Sequence, residues 1–114
     1  MNREWVRNYC LSLPHATEQV LWKIDLVFKI GGKMFTTLAL EPGPVCLAFK
    51  CSPEDFEELI ERPGIIPAPY SARANWVALE TLDAIQPKEL EARLNQAYEL
   101  IFAKLPKKTQ RELS

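Results

Sequence analysis

Across residues 21–51 apolar and polar positions alternate in three runs, separated by Gly31-Gly32 and by Pro42-Gly43. In the first run Trp22, Ile24, Leu26, Phe28 and Ile30 share one parity, and Lys23, Asp25, Val27 and Lys29 the other. A period of two predicts a strand with one buried and one solvated face, so Trp22 and Phe28 are expected in the core. Gly31-Gly32 offers the positive φ angles of a two-residue hairpin turn, which makes residues 34–40 the returning strand. Pro42-Gly43 then leads into a third strand over residues 45–51, with Val45, Leu47, Phe49 and Cys51 inward and Cys46, Ala48 and Lys50 outward. The pattern is a three-stranded antiparallel meander.

Residues 3–13 follow the helical period instead, with Trp5, Val6, Tyr9, Cys10 and Leu13 on one stripe and Pro14 as the stop. Residues 15–19 read as a linker. Ser52-Pro53-Glu54-Asp55 combines a serine cap, a proline at the first helical position and two acids against the helix dipole. It opens a short helix over residues 53–62, closed by Pro63-Gly64. The proline-rich crossing at 65–70 is too apolar to run free in water and is expected along the sheet or its edge. Residues 75–79 form a further strand, with room for a short one at 70–72. From Pro87 a long helix carries Leu90, Leu94, Ala97, Tyr98, Ile101 and Leu105 along one side, and the polar tail 107–111 is expected to fray. Two helices and one sheet, each apolar on one side, assemble most simply as a two-layer sandwich. The expected fold is α+β, a single domain over residues 1–114, with an antiparallel sheet of four to five strands and the N- and C-terminal helices on one face. The other sheet face is expected in water.

With 114 residues, 47% hydrophobic and 25% charged, the chain can bury one core. A net charge of −1 is not the basic balance of a dedicated nucleic-acid binder. No apolar run approaches a membrane span and residues 1–5 contain no signal core, so a cytoplasmic protein is expected. Cys10, Cys46 and Cys51 form no C-x-x-C pair; Cys10 and Cys51 read as core residues, and Cys46 alone as a thiol worth testing. His15 is the sole histidine, which leaves no basis for a histidine metal cluster. Gly31-Gly32-Lys33 lacks the rest of a phosphate-loop frame, and Glu57, Glu58 and Glu61 read as solvated helix surface. No catalytic residue, metal or cofactor is expected.

Charge segregation is more informative. The outward parity of the meander shows Lys23, Lys29, Lys33 and Lys50 against Asp25 and Glu41, with Phe35 among small residues. A cationic face with an exposed ring can hold a phosphate backbone and stack on a base; lysines also serve simply to keep an open sheet soluble and its edges unpaired. A second feature gathers Tyr70, Asn75 and Trp76 around Arg73, either as a groove or as the closed end of a core.

The runs Val27-Phe28-Lys29-Ile30-Gly31-Gly32-Lys33-Met34-Phe35 and Leu47-Ala48-Phe49-Lys50-Cys51, the crossing from Pro63 to Tyr70, and Asn75-Trp76-Val77 resemble the MmcQ/YjbR family. The likeness extends over nearly the whole chain. It implies a CyaY-like (frataxin-like) fold and, through the similarity of that fold to the double-wing arrangement of a phage transcription factor domain, a DNA-binding role. The iron binding associated with frataxin is not carried over, because Glu4 is the only acid in the first helix. The expectation is a monomeric, non-enzymatic DNA-binding module that uses Lys23, Lys29, Lys33, Phe35, Lys50 and Arg73. The alternative is a protein-interaction or regulatory adaptor using the same face or the Tyr70, Asn75 and Trp76 groove.

Overall fold

A computed structural model describes residues 2–69 and 71–114. Its order is helix α1 (Arg3–Ser12), strands β1 (Thr17–Leu21), β2 (Asp25–Ile30), β3 (Lys33–Ala39) and β4 (Leu47–Lys50), helix α2 (Pro53–Leu59), strands β5 (Ile65–Pro67) and β6 (Trp76–Leu79), and helices α3 (Pro87–Ala103) and α4 (Lys107–Leu113). The strands form one antiparallel sheet ordered β1-β2-β3-β4-β6-β5. The α+β two-layer architecture is as expected, with six strands in place of four to five.

Local chemistry explains most boundaries. The Asn2 side chain accepts from the Trp5 N–H at the start of α1, and Ser52 Oγ accepts from the Asp55 N–H at the start of α2. Gly31 and Gly32 adopt φ of +58° and +83° in the β2–β3 turn. A Cβ on Gly31 would stand 2.6 Å from Leu105 Cδ1, so that glycine also admits the chain beyond α3. The proline-rich crossing supplies β5 at the sheet edge, where proline's missing donor is harmless, and pairing continues through the Ala68 N–H to Trp76 O.

The core lies between the sheet and the helices. Phe28, Leu38, Leu47, Phe49, Val77 and Leu79 from the sheet meet Val6 and Cys10 of α1 and Leu90, Leu94 and Ala97 of α3. Arg7 on α1 holds Glu18 on β1 with two short hydrogen bonds of 2.8 and 2.6 Å. On the other flank Arg93 of α3 bridges Asp55 and Glu89 at 3.1 Å each, and Arg62 reaches Glu89 at 2.9 Å.

Four expectations need correction. Residues 17–21 are a strand rather than a linker; with only two apolar residues in Thr-Glu-Gln-Val-Leu, this edge segment carries no pattern. Trp22–Ile24 is therefore a turn, closed by the Ile24 N–H to Leu21 O, and Trp22 is 73% exposed instead of buried. Of the short strand expected at 70–72, Ser71 is in a turn and Ala72 opens a 3-10 turn over Ala72–Ala74; position 70 lies outside the described residues. The tail forms helix α4, tied back by Gln110 Nε2 donating to Leu105 O at 2.7 Å.

Candidate functional site

The helix-free side of the sheet is not a plain solvated surface. By register Gln19, Val27, Thr37, Ala48, Ala78 and Ile66 form one row across it. Ala78, Ala68 and Trp76 build a second, smaller apolar cluster there, with Val45, Ala48 and Ile66 packed against it. The small side chains of Thr37 and Ala48 leave a hollow of about 290 Å3, also lined by Trp22, Met34, Val45, Ala68 and Trp76, with Asp25 and Ser71 as polar members. Trp22 comes from the β1–β2 turn and Trp76 from β6, so β3 and β4 run between the elements that supply the two indoles.

Trp22 is held in place by strained backbone. Trp22 and Lys23 have φ of +54° and +63° within a three-residue connection from Leu21 to Asp25, two consecutive positive φ angles adopted without glycine, asparagine or aspartate. Bulky residues in the left-handed region are uncommon and cost of order 1–2 kcal/mol each. The pairing of β1 with β2 over five residue pairs enforces the turn.

A bulge rearranges the expected cationic face. Phe28 pairs with Thr36, but Lys29 pairs with Met34, so Phe35 is an extra residue in β3. It turns inward, fully buried against Tyr98, and Met34 takes its place on the open face. Lys33, opposite Ile30, then falls on the helix-side parity. Neither Phe35 nor Lys33 belongs to the open face, contrary to the strict alternation.

Lys50, expected as a phosphate contact, is buried as well. Only 6% exposed, it donates from Nζ to Ala74 O. Burial, with nearby Lys104, lowers its pKa. Of the expected cations Lys23 is exposed on the strained turn, Arg73 is exposed on the 3-10 turn before β6, and Lys29 is half-buried on β2 with Nζ donating to Gln19 Oε1 at 2.7 Å. In the expected groove, Tyr70 lies outside the described residues. Asn75 turns the chain at φ +61°, its carbonyl accepting from the Cys51 N–H at 2.9 Å. Trp76 does line the hollow. Trp22 and Met34 line the hollow against expectation: alternation puts Trp22 in the core, and the bulge at Phe35 hides the parity of Met34.

The thiols offer little nucleophilic chemistry. Burial raises the Cys10 pKa to about 12 and that of Cys51 to about 11, and raises Cys46, whose Sγ donates to Leu79 O at 3.4 Å. Thiolate is the reactive form, so all three are protonated near neutral pH. Among the described residues no cluster of His, Cys, Asp and Glu is placed to hold a metal ion, and no helix is long and apolar enough to cross a membrane. A wider hollow near the start of α1 carries Arg3 with Glu41, Glu80 and Asp83, without an excess of cations.

The family model described as YjbR matches residues 11–100, which hold the entire sheet and α2. The chain belongs to the YjbR (MmcQ/YjbR) family. Among solved structures, a Deinococcus radiodurans protein with the DUF419 domain aligns with this YjbR chain at a TM-score of 0.86 and 28% identity, covering 96% of this chain and 86% of its own. A Pseudomonas syringae protein shares the fold at a TM-score of 0.73 and 21% identity, over 88% of this chain and 98% of its own. No curated protein matches the YjbR chain.

Proposed function

We propose that this YjbR chain is a non-enzymatic nucleic-acid-binding module, with DNA the expected ligand, and that the open face of its sheet is the binding surface. The observation that carries the reading is the Trp22 turn. An exposed indole lines an apolar hollow, with the exposed Lys23 next to it in the turn, Lys29 on the same sheet face and Arg73 on the turn leading into Trp76. Aromatic rings stack on bases and flanking cations meet phosphates. Trp22 replaces Phe35 as the stacking ring, and Lys23, Lys29 and Arg73 are the phosphate contacts that remain.

Anisotropy of a labelled DNA at low and moderate salt tests this reading. Binding should weaken steeply with salt, and joint reversal of Lys23, Lys29 and Arg73 to Glu should abolish it. Lys33→Glu, on the other parity, should change it little. Binding that survives the triple reversal, or no binding by the wild-type protein at low salt, overturns the reading.

A protein-binding role is the second reading, favoured by one observation. Val20 and Ile24 are 54% and 50% exposed beside Trp22, forming an apolar edge at the first hairpin. A stoichiometric protein partner that resists nuclease treatment and is lost in an Ile24→Asp variant would support it over the first.

A further inference from the structure

We infer, resting on the nucleic-acid reading above, that the hollow takes one unpaired base of a single strand, and that Asp25 selects a base carrying an exocyclic amino group. A volume of about 290 Å3 lies at the lower end of ordinary ligand pockets. It has room for one ring system rather than a run of side chains. The floor is made of small residues, Thr37 and Ala48, and the aromatic members Trp22 and Trp76 belong to well-separated elements. Trp22 has no aromatic partner of its own among the ring pairs of the described residues. Its exposed position on a turn with two consecutive positive φ angles is the kind of backbone strain that collects at ligand clamps.

The polar members indicate the base. Among the described residues Asp25 is the only charged side chain lining the hollow. A carboxylate there repels a phosphate, so the phosphates must lie outside, towards Lys23 and Arg73. The same carboxylate accepts well from an amino group such as cytosine N4. Thymine presents the acceptor O4 at the position of the amino group, and its one ring donor, N3–H, is flanked by two carbonyl oxygens that repel a carboxylate. A duplex keeps its bases stacked and paired, so a pocket for one base favours the single strand.

The test compares labelled 12-mers of oligo-dC and oligo-dT and a mixed duplex of equal length at pH 7.5, with wild-type protein and the variants Trp22→Ala, Trp22→Phe and Asp25→Asn. Oligo-dC should bind about ten-fold more tightly than oligo-dT, and both more tightly than the duplex. Trp22→Ala should weaken oligo-dC binding about ten- to hundred-fold, with most of the loss recovered in Trp22→Phe. Asp25→Asn should erase the preference for dC while leaving dT affinity in place. If Trp22→Ala does not fold, the Phe and Asn variants carry the test. Equal affinity for duplex and single strand, or indifference to both Trp22 and Asp25 while the Lys23/Lys29/Arg73 reversal still abolishes binding, overturns the base pocket and leaves the broader reading standing. No binding of any of the three by wild-type protein overturns both.

Discussion

Phe35 meets Tyr98 edge to face, with ring centroids 5.6 Å apart and planes at 89°. This contact joins the third strand to the long helix, and Tyr98 in turn donates from its hydroxyl to Pro14 O at 2.7 Å. A ring that alternation alone would put on the open face is a structural anchor on the helix side. Phe35→Ala should therefore cost about 3–5 kcal/mol in urea unfolding, as large aromatic truncations in cores do. Near wild-type stability would contradict its placement.

The strained turn gives a prediction of opposite sign. Lys23 is exposed at φ +63°, a conformation glycine adopts without steric cost. Lys23→Gly should raise stability by about 1 kcal/mol, visible as a higher Tm, while weakening ligand binding. A lower Tm would mean that Lys23 makes stabilising contacts that outweigh the strain.

These two residues show where the sequence is legible and where it is not. Gly31-Gly32 announces its turn because glycine is what that geometry asks for, and Ser52-Pro53 announces a helix because the cap has its own chemistry. Trp22-Lys23 makes a turn of related geometry with residues that continue an alternating pattern, so the tertiary pairing of β1 overrides a plausible local reading. The bulge at Phe35 is silent for a similar reason: one inserted residue leaves no change in composition but reverses parity from Phe35 back to Lys33. Beyond the bulge Thr37 and Ala48 are on the open face as alternation predicts, but before β4 the phase is inverted: Val45, expected inward, lines the open-face hollow, and Cys46, expected outward, packs against the main core. Half of the candidate site was thus readable, through Trp76, Lys23, Lys29 and Arg73. The aromatic lip at Trp22 required the three-dimensional pairing.

Lys50 carries a stability cost that depends on pH. Its folded pKa is lowered by burial, so between the folded and unfolded values the unfolded chain binds more protons. Stability contributed by this group therefore rises as pH climbs through the folded pKa towards the usual 10.5 and is at its lowest below it. Lys50→Met should be at least as stable as wild type at pH 7, with its advantage shrinking as pH approaches 10.5, and it should leave ligand affinity unchanged. A marked loss of affinity would return Lys50 to the binding surface.

Arg93 contributes to the acid limb through two carboxylates. Asp55 is held below the usual carboxylate range first by the Gln96 amide, with Ser52 and Arg93 assisting, and Glu89 is lowered by Arg62 and then Arg93. A depressed folded pKa gives stability that is present above the unfolded value, near pH 4, and is lost as pH falls through the folded one. Arg93→Met should lower stability at pH 7 and flatten the decline below pH 4. An unchanged acid profile would show that the bridge between α2 and α3 contributes nothing.

A map of backbone and indole NMR shifts during titration with oligo-dC locates the binding surface on the molecule. Changes should concentrate at Trp22, Met34, Thr37, Ala48 and Trp76 and at Asp25, while the helix-side residues Val6, Leu90 and Leu94 stay still. Shifts centred on α1 and α3, with the open sheet face unperturbed, would contradict binding at the open face.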